Sequence, residues 1–264
     1  MEVSPTGDPG ILNAIKLGLN EKDIDTTYTL TADDAFEEIY AAVREKEGRV
    51  YTDRQVARLP EIDVTHKYAQ EWRARTISSQ RFINYLSKKE QPLHILEIGC
   101  GNGWLANKLA GIPQTKVTGL DTSRLEIDQA RRVFKNVNLK FINSEFTKAD
   151  FANNERFDVI VFAASLSYFP SVKTVIGDVF SLLKPRGEIH VLDTPFYDNQ
   201  TAGTAIKRCR DYYNDMGYPA MADNYYHHLL TDILPFKHRV LFNPATIWNR
   251  LRKQGVFYWI TLTP

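Results

Sequence analysis

The stretch that decides the fold reads His94-Ile95-Leu96-Glu97-Ile98-Gly99-Cys100-Gly101-Asn102-Gly103-Trp104-Leu105-Ala106. Its first half is an apolar run with an acid near its end, which predicts a short strand buried on both faces of a parallel sheet. Three alternating glycines then permit a tight turn and a close approach of the backbone to a ligand. The helical pattern that follows places unpaired N–H groups at this turn. Strand, turn and helix together predict a nucleotide-type site.

The details of the turn distinguish between nucleotides. A dinucleotide fingerprint needs a third glycine three residues after the second, and Trp104 occupies that position. Glu97 would repel a phosphate, whereas it can accept hydrogen bonds from an ammonium group. S-adenosylmethionine (SAM) fits a turn of this kind, because it carries an amino acid with an ammonium group at one end and has no phosphate. The acid-x-Gly-x-Gly-x-Gly pattern resembles the first motif of the class I SAM-dependent methyltransferase family; the alternative is a glycine turn that merely joins a strand to a helix.

The wider pattern predicts the fold class. Residues 93–193 alternate between strand and helix five times, which is typical of an open parallel sheet with right-handed crossovers. Strand-like runs at 236–242 and 256–262, separated by a helix at 245–253, complete a seven-stranded sheet with an antiparallel terminal strand. The expected fold class is therefore α/β: a doubly wound, mostly parallel, seven-stranded and Rossmann-like sheet. The expected domains are an N-terminal helical cover (1–90) and a SAM-binding domain (91–264) with an aromatic-rich cap insert at about 196–235.

A helix from about Val172 to Leu183 is predicted to end at the breaker pair Lys184-Pro185, which Gly187 follows. This helix stop also resembles the family at the same place, although the family usually has a glycine where Arg186 stands. The next strand is expected at 188–193.

Asp121 closes the second predicted strand, where an acid accepts hydrogen bonds from ribose hydroxyls. The alternative for Asp121 is a partner of the following helix dipole. The resemblance implies that the segment 144–146 contacts adenine, and that Trp72 and Arg75 lie at the methionine end, with Arg75 holding the carboxylate. Alternatively, Trp72 belongs to the core and Arg75 is solvated. The full predicted cofactor set is Glu97, Gly99, Cys100, Gly101, Asn102, Gly103, Asp121, Thr122, Ser144, Glu145, Phe146, Ala163, Ser165, Trp72 and Arg75.

The segment 163–170, after the fourth strand, corresponds to the reactive centre of the family. It lacks the Asn/Asp-Pro-Pro-aromatic and Pro-Cys motifs of the nucleic-acid base methyltransferases and resembles the small-molecule type. Methyl transfer depends mainly on orientation, so the sequence need not contain a catalytic dyad. The predicted catalytic candidates are His227, His228 and Tyr168, whereas His190 is expected to be structural. The aromatics of the insert predict either a lid over the site or a satellite packing cluster.

The composition limits the partners. The chain has 264 residues and a formal net charge of +1, so it has no global field for capturing a nucleic acid. No run approaches the roughly 18 apolar residues of a membrane span, and Cys100 and Cys209 are too far apart in the pattern to suggest a disulfide framework. We expect a cytoplasmic protein with a small-molecule substrate, without a metal, nucleic-acid or membrane partner. The oligomeric state is left open between a monomer and a homodimer.

The leading hypothesis is a SAM-dependent methyltransferase that forms S-adenosylhomocysteine (SAH) and methylates a small molecule at an oxygen, nitrogen or carbon atom. One alternative is a SAM-binding regulatory or scaffold protein without turnover. A third, an NAD(P)-binding oxidoreductase, is disfavoured by Trp104 and Glu97.

Overall fold

The computed structural model describes residues 32–147, 151, 155–251 and 255–264. Residues from Glu37 to Pro264 form one compact unit, so the later part of the predicted cover belongs with the sheet. The first 31 residues of that cover, and the end of the helix predicted at 245–253, lie outside the described residues. The assignment of 1–90 as a cover stays a prediction.

Seven strands form a single sheet in the order β3-β2-β1-β4-β5-β7-β6. The pairs from β3 to β5 are all parallel, whereas β7 runs antiparallel to both β5 and β6. The predicted mostly parallel sheet with an antiparallel strand near its end is therefore confirmed. The strands are β1 (Leu93–Ile98), β2 (Thr115–Asp121), β3 (Leu139–Asn143), β4 (Phe157–Ala163), β5 (Leu183–Leu192), β6 (Lys237–Phe242) and β7 (Trp259–Thr263).

The described helices cover both faces of this sheet. They are α1 (Ala32–Glu47), α2 (Asp53–Val56), α3 (Ala69–Ser87), α4 (Trp104–Ala110), α5 (Arg124–Val133), α6 (Val172–Phe180), α7 (Ala202–Asp215) and α8 (Ile247–Leu251). Residues of β1 alternate between two apolar clusters: Ile95 packs with α3 and α4, while Leu96 packs with α6. Burial on both faces explains why β1 reads as a nearly continuous apolar run. The sheet is doubly wound, as predicted.

The strand order reverses at β1. The chain first adds β2 and β3 on one side of β1 and then adds β4 and β5 on the other side. Because β1, β2 and β4 are parallel, their carboxyl ends meet at one edge of the sheet. Open α/β sheets bind their ligands at such a switch point. This edge contains the glycine turn.

The junction between α6 and β5 differs from the prediction. The helix ends at Phe180 rather than at Leu183, because the N–H groups of the next two residues bond back to the last helical turn. Leu183 already pairs with Phe157, and β5 then bulges before Glu188 pairs with Val159. Lys184-Pro185 therefore lies in the bulge of β5 and does not stop the helix. Arg186 in this bulge has a left-handed φ of +68°.

The insert between β5 and β6 contains α7 and two short 3-10 helices, Pro219–Asn224 and Leu230–Ile233. A bridge joins Tyr197 to Leu229 across its base. The end of α1 contacts the insert, because Lys46 Nζ donates to the carbonyl of Met216 at 2.8 Å and Tyr212 donates to Glu47 at 2.6 Å. Within the described residues, no helix combines the length and apolar character needed to cross a bilayer.

Candidate functional site

Two glycines of the turn are required by the packing of the protein itself. Gly99 and Gly103 both have φ +74°, a region that favours glycine. A Cβ on Gly99 would lie 2.3 Å from the Cβ of Ser165, and one on Gly103 would lie 2.5 Å from the ring of Phe141. Protein side chains therefore occupy the space that a Cβ would need at both positions, and a contact of either backbone with a cofactor stays a prediction.

Two carboxylates hold the outer part of the turn. Asp121 accepts hydrogen bonds from the N–H of Gly101 at 2.7 Å and from the N–H of Ser123 at 2.9 Å. Glu126, in the first turn of α5, accepts one from the N–H of Asn102. The acid at the end of β2 thus ties the glycine turn to the start of the next helix.

A third carboxylate, Glu97, lies at the end of β1 and is 2% exposed. One of its oxygens, Oε2, has no hydrogen-bond partner. Burial, with a contribution from Asp121, raises the pKa of Glu97 well above its ordinary value, and the N–H of Ala106 and the charge of Arg75 act in the opposite direction. An unpartnered buried carboxylate oxygen indicates a place for a ligand's hydrogen-bond donor.

The surroundings of the turn are acidic. Burial raises the pKa of Asp121 and of Glu126 as well as that of Glu97. Arg44 of α1 approaches Glu126 at 3.7 Å. Arg75 pairs with Glu71 at 2.9 Å, and its charge lowers the pKa of Glu97. Two buried acids and one half-buried acid, with two nearby guanidinium groups, favour a ligand that carries positive charge as well as a carboxylate.

The residues predicted to contact adenine lie in the segment after β3 and differ in their exposure to solvent. Glu145 is exposed, whereas Phe146 is half-buried and packs against Phe151 and Phe169. The Ser144 hydroxyl donates to the Glu145 carbonyl at 2.9 Å. Thr122 is exposed. Adenine contacts in this segment stay a prediction.

The end of β4 is tied to the end of β1. The hydroxyl of Ser165 donates to the carbonyl of Ile98 at 2.5 Å, and Ser165 is buried. Ala163 is half-buried at the end of the strand. Cys100 is a free thiol and is buried, and burial raises its pKa well above the ordinary value. The Oδ1 atom of Asn102 is a second buried polar atom without a partner.

Comparisons with known proteins agree with this geometry. Residues 95–187 match the family model described as "Methyltransferase domain". Over these residues the chain is similar to a methyltransferase domain. Sterol 24-C-methyltransferase erg-4 of Neurospora crassa is 29% identical over 129 residues, which are 45% of this chain and 34% of that protein. A malonyl-acyl-carrier-protein O-methyltransferase of Halalkalibacterium halodurans is 31% identical over 103 residues, 38% of each protein.

The chain thus spans about a third of the length of these two curated relatives. Solved structures share the methyltransferase fold over more of the chain. The DhpI-SAM-HEP complex has a TM-score of 0.53 at 17% identity and covers 89% of this chain and 100% of that chain. Magnesium protoporphyrin IX methyltransferase of Synechocystis PCC 6803 with bound SAM has a TM-score of 0.53 at 15% identity and covers 89% and 98%.

Trp72 belongs to the hydrophobic core. It is 4% exposed, its indole N–H donates to the Tyr51 hydroxyl at 2.9 Å, and its ring contacts Trp104 at 5.5 Å. These contacts agree with the alternative that Trp72 is a core residue, and its contact with the cofactor stays a prediction. The guanidinium of Arg75 lies 5.2 Å from the centroid of the Trp72 ring, and its binding of a carboxylate stays a prediction as well.

The three predicted catalytic residues occupy different environments. His228 is buried, and its ring faces the carbonyls of Leu166 and Phe169. Both contacts are to the backbone, so His228 holds the insert against the segment after β4, and its catalytic role stays a prediction. His227 is half-buried and stays a candidate, as does Tyr168, whose pKa burial raises to about 12.

Sequence reasoning missed four residues near the candidate site: Tyr40, Arg44, Glu126 and Asp193. Glu126 had a signal, since it is an acid in the first turn of a helix that begins beside Asp121. Tyr40 and Arg44 lie on α1, far away in the sequence, so no local pattern links them to the turn. Asp193 follows β5 with φ +52° and accepts a hydrogen bond from Ser78 at 2.8 Å.

Proposed function

We propose that the chain is a SAM-dependent methyltransferase that acts on a small-molecule acceptor and releases SAH. The observation that carries this proposal is the group of three carboxylates at the switch point of the sheet, in which Glu97 and Glu126 are buried and Asp121 is half-buried. Positive charge and hydrogen-bond donors stabilise buried carboxylates, and SAM carries a sulfonium, an ammonium and ribose hydroxyls. The pyrophosphate of a dinucleotide would instead add negative charge, which opposes the oxidoreductase alternative.

The residues present fit SAM. The unpartnered Oε2 of Glu97 is suited to the ammonium group, and Arg75 to the carboxylate of the same amino acid. Asp121 is suited to the ribose hydroxyls, since each carboxylate oxygen has more than one lone pair and accepts a backbone N–H with only one. When bound, SAM supplies an electrophilic methyl group on a positively charged sulfur.

The protein contributes orientation and exclusion of water. Holding two reactants in line gives roughly 7–11 kcal/mol, and α1 and the insert, which hydrogen-bond to each other, cover this edge of the sheet. We assign His227 as the base for an acidic acceptor proton. Its ring N–H donates to the Tyr225 carbonyl, and burial lowers its pKa, so the other nitrogen is an acceptor at neutral pH. A positioned base adds about 10²–10⁴-fold.

Small-molecule specificity is supported by two further observations. A formal net charge of +1 gives no field for a polyanion, and the related proteins include a sterol methyltransferase. The absence of a nucleic-acid partner and the oligomeric state stay predictions.

Calorimetry with SAH tests the proposal through Asp121→Ala. We expect the substitution to weaken SAH binding at least 10-fold, about 1.4 kcal/mol, because it removes the ribose acceptor and frees the N–H of Gly101. The matched control is Asp128→Ala, which removes a more exposed acid from the following helix, α5, and should leave the affinity unchanged. Thermal unfolding verifies that both variants are folded.

Lack of SAH binding by the intact protein at millimolar ligand would overturn the proposed function. Unchanged affinity in Asp121→Ala would reject only the ribose assignment. Formation of SAH from SAM across a panel of acceptors then distinguishes an enzyme from a SAM-binding protein without turnover.

A further inference from the structure

Five aromatic rings form a continuous series, which we call the tyrosine ladder: Tyr40, Tyr168, Tyr225, His227 and Tyr197. Tyr168 meets Tyr40 at 6.2 Å and Tyr225 at 5.6 Å between ring centroids, both edge to face. His227 lies 5.4 Å from both Tyr225 and Tyr197. The series joins three separate parts of the chain: α1, the segment after β4, and the insert.

The ladder begins at the proposed cofactor site. The hydroxyl of Tyr40 is close enough to Glu126 and Asp121 for both carboxylates to affect its titration. From there the ladder crosses the segment after β4, to which the insert is fixed by a 2.7 Å hydrogen bond from the N–H of Tyr226 to the Ser167 carbonyl. It therefore lies beyond the carboxyl ends of the strands, where ligands of open α/β sheets bind.

The ladder differs from the aromatic cluster of the core. Phe151, Phe157 and Phe162 are at most 2% exposed and belong to that core. Every ring of the ladder, in contrast, is half-buried and keeps part of its surface accessible. Ligand sites combine such accessible aromatic surface with a few polar groups, whereas a packing cluster buries its rings.

The ladder is uncharged at neutral pH and carries hydrogen-bonding groups. Burial raises the pKa of all four tyrosines, so their hydroxyls stay protonated, and burial lowers the pKa of His227. Charged side chains of both signs border the ladder, and the cations and acids are paired or close to each other: Arg44, Glu126, Asp121 and Glu47 near Tyr40 and Tyr168, Arg75 and Glu71 near Tyr225, and Arg208 near Tyr197 and His227. Aromatic faces with neutral donors favour flat, conjugated ligands over aliphatic or anionic ones.

We propose that the tyrosine ladder is one wall of the acceptor site and that the acceptor is a planar, conjugated, uncharged small molecule. This inference rests on the proposed function, because it places the acceptor beside the cofactor site. The ladder selects its ligand by ring stacking, because burial of apolar area alone would not distinguish an aromatic ligand from a saturated one.

Two probes with the same carbon skeleton separate stacking from apolar burial: 1-naphthol, which is flat and aromatic, and decahydro-1-naphthol, which is saturated. Calorimetry on the protein saturated with SAH measures both affinities. We expect naphthol to bind roughly 10-fold more tightly, since edge-to-face and stacked ring pairs add to area burial. Equal affinity, preference for the saturated alcohol, or failure of both to bind overturns the proposal.

Variants locate the binding to the ladder. Tyr225→Leu should weaken naphthol binding roughly 10-fold and leave SAH affinity unchanged. Tyr225→Phe should bind naphthol as tightly as the parent protein does, because the aromatic ring remains. Phe180→Leu, which disturbs a ring pair with Phe236 elsewhere, is the control and should change neither. Tyr197→Leu at the outer end gives the same test if Tyr225→Leu fails to fold. Unchanged naphthol affinity in these leucine variants overturns the proposal.

Binding of SAH and preference for naphthol test the proposed function and the acceptor wall separately. Absence of SAH binding refutes the proposed function. SAH binding without a preference for naphthol leaves the proposed function intact and refutes the ladder as an acceptor wall.

Discussion

The carboxyl group of Glu97 is buried, and the protein satisfies only part of its hydrogen-bonding capacity. One oxygen accepts the N–H of Ala106, and the other has no partner. A buried polar group left in this state destabilises the fold by about 1–3 kcal/mol. The unsatisfied oxygen therefore lowers the free energy of unfolding of the free protein. A ligand that donates a hydrogen bond to this oxygen removes that penalty.

Glu97→Gln should therefore stabilise the free protein and weaken its SAH binding. Because burial raises the folded-state pKa of Glu97, ionisation opposes folding as the pH rises through and above the unfolded value of about 4.3. We expect the variant to gain on the order of 1 kcal/mol at pH 8 in urea unfolding, and the gain to shrink toward pH 5. A loss of stability at pH 8 would contradict this account.

The site residues differ in how far the sequence predicts them. Glu97 and Asp121 follow apolar strands, and parallel strands bring their carboxyl ends together, so their proximity was predictable. Trp72 was not, because an apolar helical stripe looks the same whether it faces a core or a ligand. Tyr40 and Arg44 were missed, since only tertiary packing brings α1 to the glycine turn. The cofactor roles of these residues stay predictions.

At the level of elements, the junction between α6 and β5 is the informative case. The helix was predicted to run to Leu183 and to stop at Lys184-Pro185, but it ends three residues before Leu183, at Phe180, and Lys184-Pro185 lies in a bulge of β5. Proline suits a strand bulge as well as a helix end, so residue type could not decide between them. The strands themselves were predicted within a few residues, because burial on both faces leaves continuous apolar runs.

Arg186→Gly should stabilise the protein. Arg186 is exposed and has φ +68°, a conformation that is unfavourable for a residue with a Cβ and favourable for glycine. We expect a gain of about 0.5–1 kcal/mol in chemical unfolding, net of the greater flexibility of glycine in the unfolded chain. Arg186→Ala is the control and should give no gain, since alanine keeps the Cβ. Equal effects of the two substitutions would assign the change to the lost guanidinium instead.

On the scale of the whole molecule, His190 joins layers that are far apart in sequence. It is fully buried in β5, it accepts the indole N–H of Trp259 from β7 at 3.1 Å, and its ring packs 4.9 Å from Phe82 of α3. Because Nδ1 accepts, the proton resides on Nε2, which donates to Glu188 at 3.2 Å. The predicted structural role of His190 agrees with this position. A second proton would break the bond to Trp259.

Stability should therefore fall on mild acidification in part because of His190. Burial lowers its folded-state pKa, so the unfolded chain binds the proton more tightly, and stability is lost as the pH falls below about 6.5. Lowered pKa values of His94, His227 and His228 act in the same direction, and the raised pKa values of the buried acids act against it.

The contribution is isolated by His190→Gln. Between pH 7.5 and 5.5, the loss in free energy of unfolding should be smaller in this variant than in the parent protein by on the order of 1 kcal/mol. Arg186→Gly, which leaves the histidines untouched, should keep the parental slope. An unchanged slope in His190→Gln would mean that its ionisation is not linked to folding.

The contact between Gly99 and Ser165 limits how this fold can diverge. A Cβ on Gly99 would lie 2.3 Å from the Cβ of Ser165, so any residue but glycine would move the backbone after β1 or β4, and a side chain bulkier than serine at position 165 meets the same obstacle. We therefore expect related chains to inherit these two residues together. Sequence divergence should instead accumulate in α1 and the insert, whose half-buried and exposed positions tolerate substitution.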